Sequence, residues 1–136
     1  MYRLVYVSTA IEGLTHVEIE NILNQSQSNN DERYITGFLA HNGSAFMQAL
    51  EGDRNEVLVI YERIKRDERH FGVTQIIGEP VEKRAFPDWS MNYHRVDDSD
   101  GSSTMVLRND DSVDALLNPD MPRDLLYLFS KFIRMR

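Results

Sequence analysis

The 136-residue sequence contains no cysteine. Disulfide bonds, thiolate nucleophiles and cysteine-ligated zinc are therefore excluded. The sequence has no apolar run near the roughly 20 residues of a membrane-spanning helix. Its amino terminus, MYRLVYVSTA, is too short and too mixed in polarity for a signal peptide. We therefore expect a cytoplasmic protein that does not bind membranes, and we interpret the glycosylation sequons at Asn24 and Asn42 as chance matches.

Positive charge is also scarce. The chain has 15 lysines and arginines against 22 aspartates and glutamates, which gives a net charge of −7 at pH 7. Because no basic stripe is available to neutralise phosphates, nucleic acid is not an expected partner. The four histidines lack the spacing of metal ligands, and no phosphate-binding loop or nucleophile elbow occurs. We therefore expect no metal site.

Hydrophobic residues make up 41% of the chain, which is enough for one domain with a buried core. Apolar patterns predict strands over residues 2–8, 34–41, 46–52, 73–80 and 89–96. Two helices are predicted between them, because capping boxes precede apolar helical stripes at Thr15 with Glu18 and at Asp53 with Glu56. The order βαββαββ predicts an α+β, ferredoxin-like fold with a mixed five-stranded sheet.

The residues after the fifth predicted strand divide into two parts. Residues 97–110 begin with DDSDGSS, which predicts an acidic linker between a core over residues 1–96 and a helical segment over residues 111–136. The last helix of that segment has an apolar stripe of Leu125, Leu128, Phe129, Phe132 and Ile133. We expect the C-terminal helices to pack on the sheet face opposite the first two helices, in cis or across a dimer. We also expect a homo-oligomer.

Gln48 lies in an unusual setting for a polar residue. A period of two places Phe46, Gln48 and Leu50 on one face of the third predicted strand, and this face has the pattern of a buried one. A buried carboxamide without partners costs about 1–3 kcal/mol. Most such glutamines bond to backbone or water, so Gln48 alone does not establish a function.

Four further polar residues lie on or near the two predicted helices. Asn29 and Asn30 come at the end of the first helix, where asparagine is a common C-cap. Arg63 and Asp67 are spaced i,i+4 on the second helix, where they would form a surface ion pair. Each has this ordinary explanation by itself. Together with Gln48 on the sheet beneath, however, they would provide donors and acceptors for a flat polar heterocycle held between the helices.

Six motifs follow one another along the chain, namely RLVYVS (3–8), NND (29–31), ITGFL (35–39), FMQALEG (46–52), YERIKRDERH (61–70) and RAFPDWSM (84–91). In this order they resemble the motifs of one known family, the BLUF domains, which sense blue light using flavin. The resemblance implies a short, stand-alone photoreceptor rather than an enzyme. It implies FAD, or else FMN or riboflavin, bound non-covalently between the two helices.

The resemblance also assigns roles to individual residues. Tyr6 and Gln48 match the photoactive pair of the family. The positions that match flavin-binding residues are Asn29, Asn30, Gln48, Arg63, Asp67 and His70. The positions that match residues passing on the signal near the glutamine are Ser8, Trp89 and Met91.

The mechanism implied by the resemblance is light-driven electron and proton transfer from Tyr6 to the flavin. Gln48 then rearranges its hydrogen bonds, by rotation or by tautomerisation, and the signal leaves for a partner protein. The absence of cysteine excludes the cysteinyl–flavin adduct of the light-oxygen-voltage domains. The alternative is a light-independent flavin- or metabolite-binding module of ferredoxin-like fold, or a small flavin redox enzyme, neither of which needs a paired tyrosine and glutamine.

Overall fold

The protein folds around one β-sheet that contains all six strands of the described residues. A computed structural model describes residues 1–15, 17–18, 21–22, 34–85, 92–96, 106–107 and 122–134. The strands within these ranges are β1 (Tyr2–Ala10), β2 (Thr36–His41), β3 (Ala45–Gly52), β4 (His70–Pro80), β5 (Asn92–Val96) and β6 (Val106–Leu107). All five strands predicted from sequence are therefore present, with shifted ends.

The strand order confirms the ferredoxin-like prediction. The six strands lie in the order β4-β1-β3-β2-β5-β6. Strand β3 pairs antiparallel with both β1 and β2, so β1 and β2 run parallel with β3 between them. This is the split βαβ arrangement. Strand β5 pairs parallel with β2, which makes the sheet mixed, as expected.

The sheet has one strand more than the predicted five. Strand β6 pairs parallel with β5, with Val106 opposite Arg95 and Leu107 opposite Val96. It lies inside residues 97–110, the segment predicted as a linker. A strand of only two residues is too short to show a periodic apolar pattern, so the sequence did not reveal it.

Two helices have bounds within the described ranges: α1 (Arg54–Lys65) and α2 (Arg123–Arg134). The predicted cap of α1 is confirmed, since the Asp53 carboxylate accepts hydrogen bonds from the backbone N–H groups of Asn55 and Glu56. Each helix has 12 residues, so neither is long enough to cross a membrane, and no other helix in the described ranges is.

The predicted capping box at Thr15 is also confirmed. The Thr15 hydroxyl accepts the Glu18 backbone N–H at 3.2 Å, and the Glu18 carboxylate accepts the Thr15 backbone N–H at 3.3 Å. Residues 17–18 and 21–22 are helical. The side chains of Leu14 and Ile22 pack against the same sheet face as α1. Two helical segments therefore flank this face.

The two faces of the sheet carry separate apolar cores. The first core contains Tyr6 and side chains of α1, and its fully or largely buried members are Leu4, Tyr6, Ile35, Leu39, Phe46, Leu50, Val57, Ile60 and Tyr61. The second core contains side chains of α2, with Phe129 meeting Phe38 edge to face at 5.2 Å. Helix α2 therefore packs in cis on the face opposite α1, as predicted. The other predicted C-terminal helix lies outside the described residues.

Strand β4 forms one edge of the sheet, and its pairing with β1 is irregular. The register shifts twice, once between Val5 and Tyr6 and again between Val7 and Thr9. At each shift β4 has an extra residue, as in a β-bulge. Bulges bend a strand and redirect neighbouring side chains, and they are over-represented next to functional sites. Here they flank Tyr6.

A buried ion pair crosses β1 and β3 on the α2 side of the sheet. The Arg3 Nε donates to Glu51 at 2.8 Å, and the Glu51 side chain is fully buried. Both carboxylate oxygens of Glu51 also accept the backbone N–H of Ala85 at 2.9 Å. Arg84 donates to the backbone carbonyls of Glu51 and Tyr34. These bonds fasten the chain after β4 to the sheet at Ala85.

Candidate functional site

Tyr6 and Gln48 lie directly opposite each other on the neighbouring strands β1 and β3. The β1–β3 register pairs their Cα atoms, and both side chains are buried on the α1 side, with 3% and 2% of their surface exposed. The Tyr6 hydroxyl donates a hydrogen bond to the Gln48 Oε1 at 2.5 Å. This bond satisfies the carbonyl end of the buried carboxamide that the strand pattern predicted.

The Tyr6 phenol is held in its neutral form. Burial raises its pKa far above the ordinary value, and the negative charge of Asp67 and the neighbouring Tyr61 raise it further. The rings of Tyr6 and Tyr61 lie 5.8 Å apart at a tilt of 44°. Because the phenol keeps its proton, Tyr6 is a hydrogen-bond donor to Gln48 at any ordinary pH.

Ser8 and His70 connect β1 to the end of α1. The His70 Nε2 lies 2.6 Å from the backbone carbonyl of Ile64, which can only accept, so Nε2 carries a hydrogen. In the neutral ring Nδ1 is then the acceptor, and the buried Ser8 hydroxyl donates to it at 2.7 Å. The His70 ring also meets Tyr6 edge to face at 6.3 Å. Two residues assigned by resemblance therefore contact each other beside Tyr6.

The ordinary alternative for Arg63 and Asp67, a surface ion pair at i,i+4 spacing, does not form. Helix α1 ends at Lys65, and the Asp67 backbone N–H bonds to Ile64 in the closing turn, so i,i+4 geometry does not extend to Asp67. The Asp67 carboxylate instead accepts the backbone N–H of Arg69 at 2.9 Å and its Nε at 2.8 Å, while Arg69 Nη2 bonds the second oxygen. These hydrogen bonds from Arg69 lower the pKa of Asp67.

Arg69, which sequence reasoning did not single out, is the residue that bonds the predicted flavin ligand Asp67. It lies within the motif YERIKRDERH, two residues after Asp67, a spacing that suits an aspartate turn rather than a helix face. By contrast, Arg63 is exposed on the last turn of α1, and none of the described contacts among Tyr6, Gln48, Ser8 and His70 includes its side chain.

Four predicted site residues lie outside the described residues. These are the two asparagines assigned to the flavin and the two residues assigned to the signal, namely Asn29, Asn30, Trp89 and Met91.

A match to a family model identifies the family of this chain. The model described as sensors of blue-light using FAD, or BLUF, matches residues 1–92 of the 136. The chain belongs to the BLUF family. The ferredoxin-like core with the Tyr6–Gln48 pair lies inside the matched range, so the resemblance stated from the sequence motifs is confirmed.

Individual relatives agree with this BLUF assignment. The chain is 33% identical over 89 residues to the photoactivated adenylate cyclase subunit beta of Euglena gracilis, covering 65% of this chain and 10% of that protein. It is similar to the dark-state structure of the BLUF protein BlrB, with a TM-score of 0.67, 33% identity and coverage of 69% and 71% of the two chains. The chain spans about a tenth of the length of the curated relatives it matches first.

A third similarity extends over more of the BLUF chain. The structure of Klebsiella pneumoniae BlrP1 in complex with manganese and cy-diGMP has a TM-score of 0.73 and 26% identity. The match covers 97% of this chain and 32% of BlrP1. The similarity therefore includes residues beyond the range matched by the family model.

The described side chains fit the flavin that the BLUF family binds. An isoalloxazine ring is flat and presents carbonyl oxygens, ring nitrogens and an N–H along its polar edges. On the α1 face the chain offers a buried carboxamide at Gln48 beside the aromatic rings of Tyr6 and Tyr61. The carboxylate of Asp67 and the guanidinium of Arg69 follow the end of α1, and the charge of Asp67 acts on Tyr6. Donors, acceptors and apolar walls are thus all present around Tyr6.

Proposed function

We propose that this BLUF protein is a blue-light photoreceptor that binds FAD non-covalently and signals to a partner protein. In this proposal Tyr6 gives up an electron and a proton, and Gln48 rearranges its hydrogen bonds. The observation that supports it best is the buried hydrogen bond from Tyr6 to Gln48 at 2.5 Å. A redox enzyme needs an open substrate face and has no use for this pair.

The chemistry of Tyr6 follows from its burial. A bound flavin supplies absorption of blue light and an oxidising excited state. Tyr6 starts as a neutral phenol, since burial raises its pKa. Loss of an electron makes a phenol strongly acidic, so its proton must leave with the electron in a site without water. The Gln48 Oε1 already accepts that proton in a hydrogen bond and is the nearest described acceptor.

The chemistry of Gln48 follows from the asymmetry of an amide. One end accepts hydrogen bonds and the other donates two. In the observed arrangement the acceptor end faces Tyr6. Rotation or tautomerisation would present a different group to Tyr6 and to any ring on the other side. A changed hydrogen bond between Gln48 and a bound flavin ring would shift the absorption of the ring slightly to the red. The new arrangement of Gln48 would persist after Tyr6 regains its electron and proton.

Two described groups near the end of α1 would hold the ring and its side chain. The Asp67 carboxylate and the Arg69 guanidinium hold each other in place through the aspartate turn. Such a pair can offer both an acceptor and donors to polar edges of a ligand. Arg63, Asn29 and Asn30 remain proposed ligands because they match the family's positions.

The partner is proposed to be a signalling protein. Relatives of this chain include a photoactivated adenylate cyclase subunit and a protein solved in complex with cy-diGMP. In this chain the second sheet face is covered by α2. We propose that β5 and α2 pass the change at Gln48 to the partner.

Absorption spectroscopy of the purified protein tests the proposal. We expect a yellow protein that releases an oxidised flavin on denaturation and whose visible band shifts to the red in blue light and recovers in the dark. Chromatography of the released flavin distinguishes FAD from FMN and riboflavin. A colourless protein that takes up no added flavin would overturn the proposal. A yellow protein with no reversible shift would favour the light-independent module instead.

A further inference from the structure

Asn42 lies in the turn between β2 and β3, the hairpin that carries Gln48. Its side chain is buried, with 6% of the residue surface exposed. The Oδ1 atom accepts the backbone N–H groups of Ser44 and Ala45 at 3.2 and 3.0 Å, and the Ser44 hydroxyl at 3.4 Å. The acceptor end of this carboxamide therefore shapes the turn that leads into β3.

The donor end of the same carboxamide bonds to α2. The Asn42 Nδ2 donates to the backbone carbonyl of Phe132 at 3.2 Å. Helix α2 ends at Arg134, so Phe132 belongs to the last turn, where carbonyl groups have no partner within the helix. Asn42 thus caps the C-terminal end of α2 from a different element, 90 residues away in sequence.

Helix α2 is held to the sheet by packing along its apolar side. Leu125, Phe129 and Ile133 are at most 1% exposed, and Phe129 contacts Phe38 on β2. An open groove of about 500 Å³ runs beside the last turn, where it is lined by side chains that include Phe132 and Asn42. The Asn42 hydrogen bond therefore lies at the edge of the packed surface.

We propose that Asn42 is a positioning residue that links the Gln48 hairpin to the C-terminal end of α2, and that light weakens this link. The light dependence of this link rests on the proposed photoreceptor function. Strand β3 runs directly from the Asn42 turn to Gln48. A small movement of the hairpin lengthens one hydrogen bond at the last turn of α2, while the packing at Phe129 keeps the helix attached.

The substitution Asn42→Asp isolates the helix contact from the turn. Aspartate keeps an acceptor oxygen for the turn, but it replaces the donor with a carboxylate oxygen that faces the Phe132 carbonyl. Ser44→Ala is the turn control, because it removes a bond to Oδ1 and leaves the helix contact intact. Asn55→Asp is the charge control, because it makes the same change at an exposed position in the first turn of α1.

Hydrogen exchange of the flavin-loaded full chain, in the dark and in blue light, gives the readout. In the dark, Asn42→Asp should raise amide exchange over residues 128–134 roughly tenfold, the factor expected for loss of one hydrogen bond to a buried acceptor. Both controls should match the wild type. In the wild type, light should raise exchange in the same residues, and in Asn42→Asp light should add little. The absorbance shift should be unchanged in all four proteins.

Each outcome decides the proposal. Equal dark exchange in Asn42→Asp and the wild type would overturn it, whether or not the flavin responds to light. A normal light-dependent rise in exchange in Asn42→Asp would overturn the light dependence of the link. Loss of the absorbance shift in the wild type would contradict the photoreceptor function instead, and the dark comparison would still test the contact between Asn42 and α2. Melting temperatures confirm that all variants fold.

Discussion

The hydroxyl of Tyr6 donates to the side-chain oxygen of Gln48 between the paired strands β1 and β3, at 2.5 Å and out of reach of solvent. The two residues are 42 positions apart in sequence, and the β1–β3 register alone brings them together. Neither side chain can change its hydrogen bonding without affecting the other. This relationship makes single substitutions at either position informative.

Tyr6→Phe should retain flavin and lose the light-induced red shift. The phenylalanine ring keeps the packing against Tyr61, while loss of the hydroxyl removes the proton donor and the bond that orients Gln48. Visible spectra before and after illumination measure both effects. Tyr2→Phe, also on β1, is the control and should photocycle normally. A shift of normal amplitude in Tyr6→Phe would show that Tyr6 is not the donor.

Gln48→Leu should bind flavin but show no light-state shift, because the group that changes its hydrogen bonds is gone. The spectrum of the dark state should also move, since the ring loses a hydrogen-bonding partner. Gln75→Leu, an exposed position on β4 opposite Tyr6, serves as the matched control. If Gln48→Leu shifts as the wild type does, the glutamine has no part in the mechanism.

Asp67 should make the free energy of unfolding depend on pH in the acidic range. Hydrogen bonds from Arg69 lower the pKa of its carboxyl below the ordinary 3.8. A lowered pKa in the folded state stabilises the fold at pH values above that ordinary value, and the contribution disappears as the pH falls through the folded-state pKa. Because the side chain is partly exposed, the effect should be below about 1 kcal/mol.

Urea unfolding between pH 6 and pH 3 measures this contribution. Asp67→Asn should be less stable than the wild type at pH 6, and the difference should shrink toward pH 3. Glu68→Gln, an exposed neighbour, controls for the change in net charge. A stability difference that is constant over the whole pH range would show that the Asp67 carboxylate does not titrate with folding.

Phe129→Ala should destabilise the protein by about 3–5 kcal/mol, the usual cost of truncating a buried aromatic side chain. Phe129 is fully buried against Phe38, and its contact joins α2 to β2. Denaturant unfolding followed by circular dichroism gives the free energy. Tyr127→Ala, on the exposed side of the same helix, should change it by about 0.5 kcal/mol or less. Similar values for both variants would contradict the docking of α2.

Local sequence patterns predicted most of the fold because their causes are local. The capping box at Thr15, the N-cap at Asp53 and the alternating strands are confirmed. The i,i+4 pairing considered for Arg63 and Asp67 fails for a local reason as well, since helix ends are uncertain by one or two residues and α1 ends at Lys65. Side chains spaced i,i+4 meet only where the helix continues through both residues, and α1 ends before Asp67.

Contacts between distant parts of the chain could not be predicted in this way. Arg3 and Glu51 lie 48 residues apart, and no periodic pattern shows that a strand glutamate is fully buried and paired. The link from Asn42 to Phe132 is more distant still. Tyr6 and Gln48 were assigned as a pair only through the family resemblance, because composition and spacing left each with an ordinary explanation.

The irregular pairing of β4 has a consequence for behaviour in concentrated solution. An eleven-residue edge strand with exposed Phe71 and Ile76 would ordinarily invite strands from other molecules to add to the sheet. The two register shifts interrupt its row of backbone donors and acceptors and increase its twist. The irregularity beside Tyr6 should therefore also disfavour aggregation along this edge of the sheet.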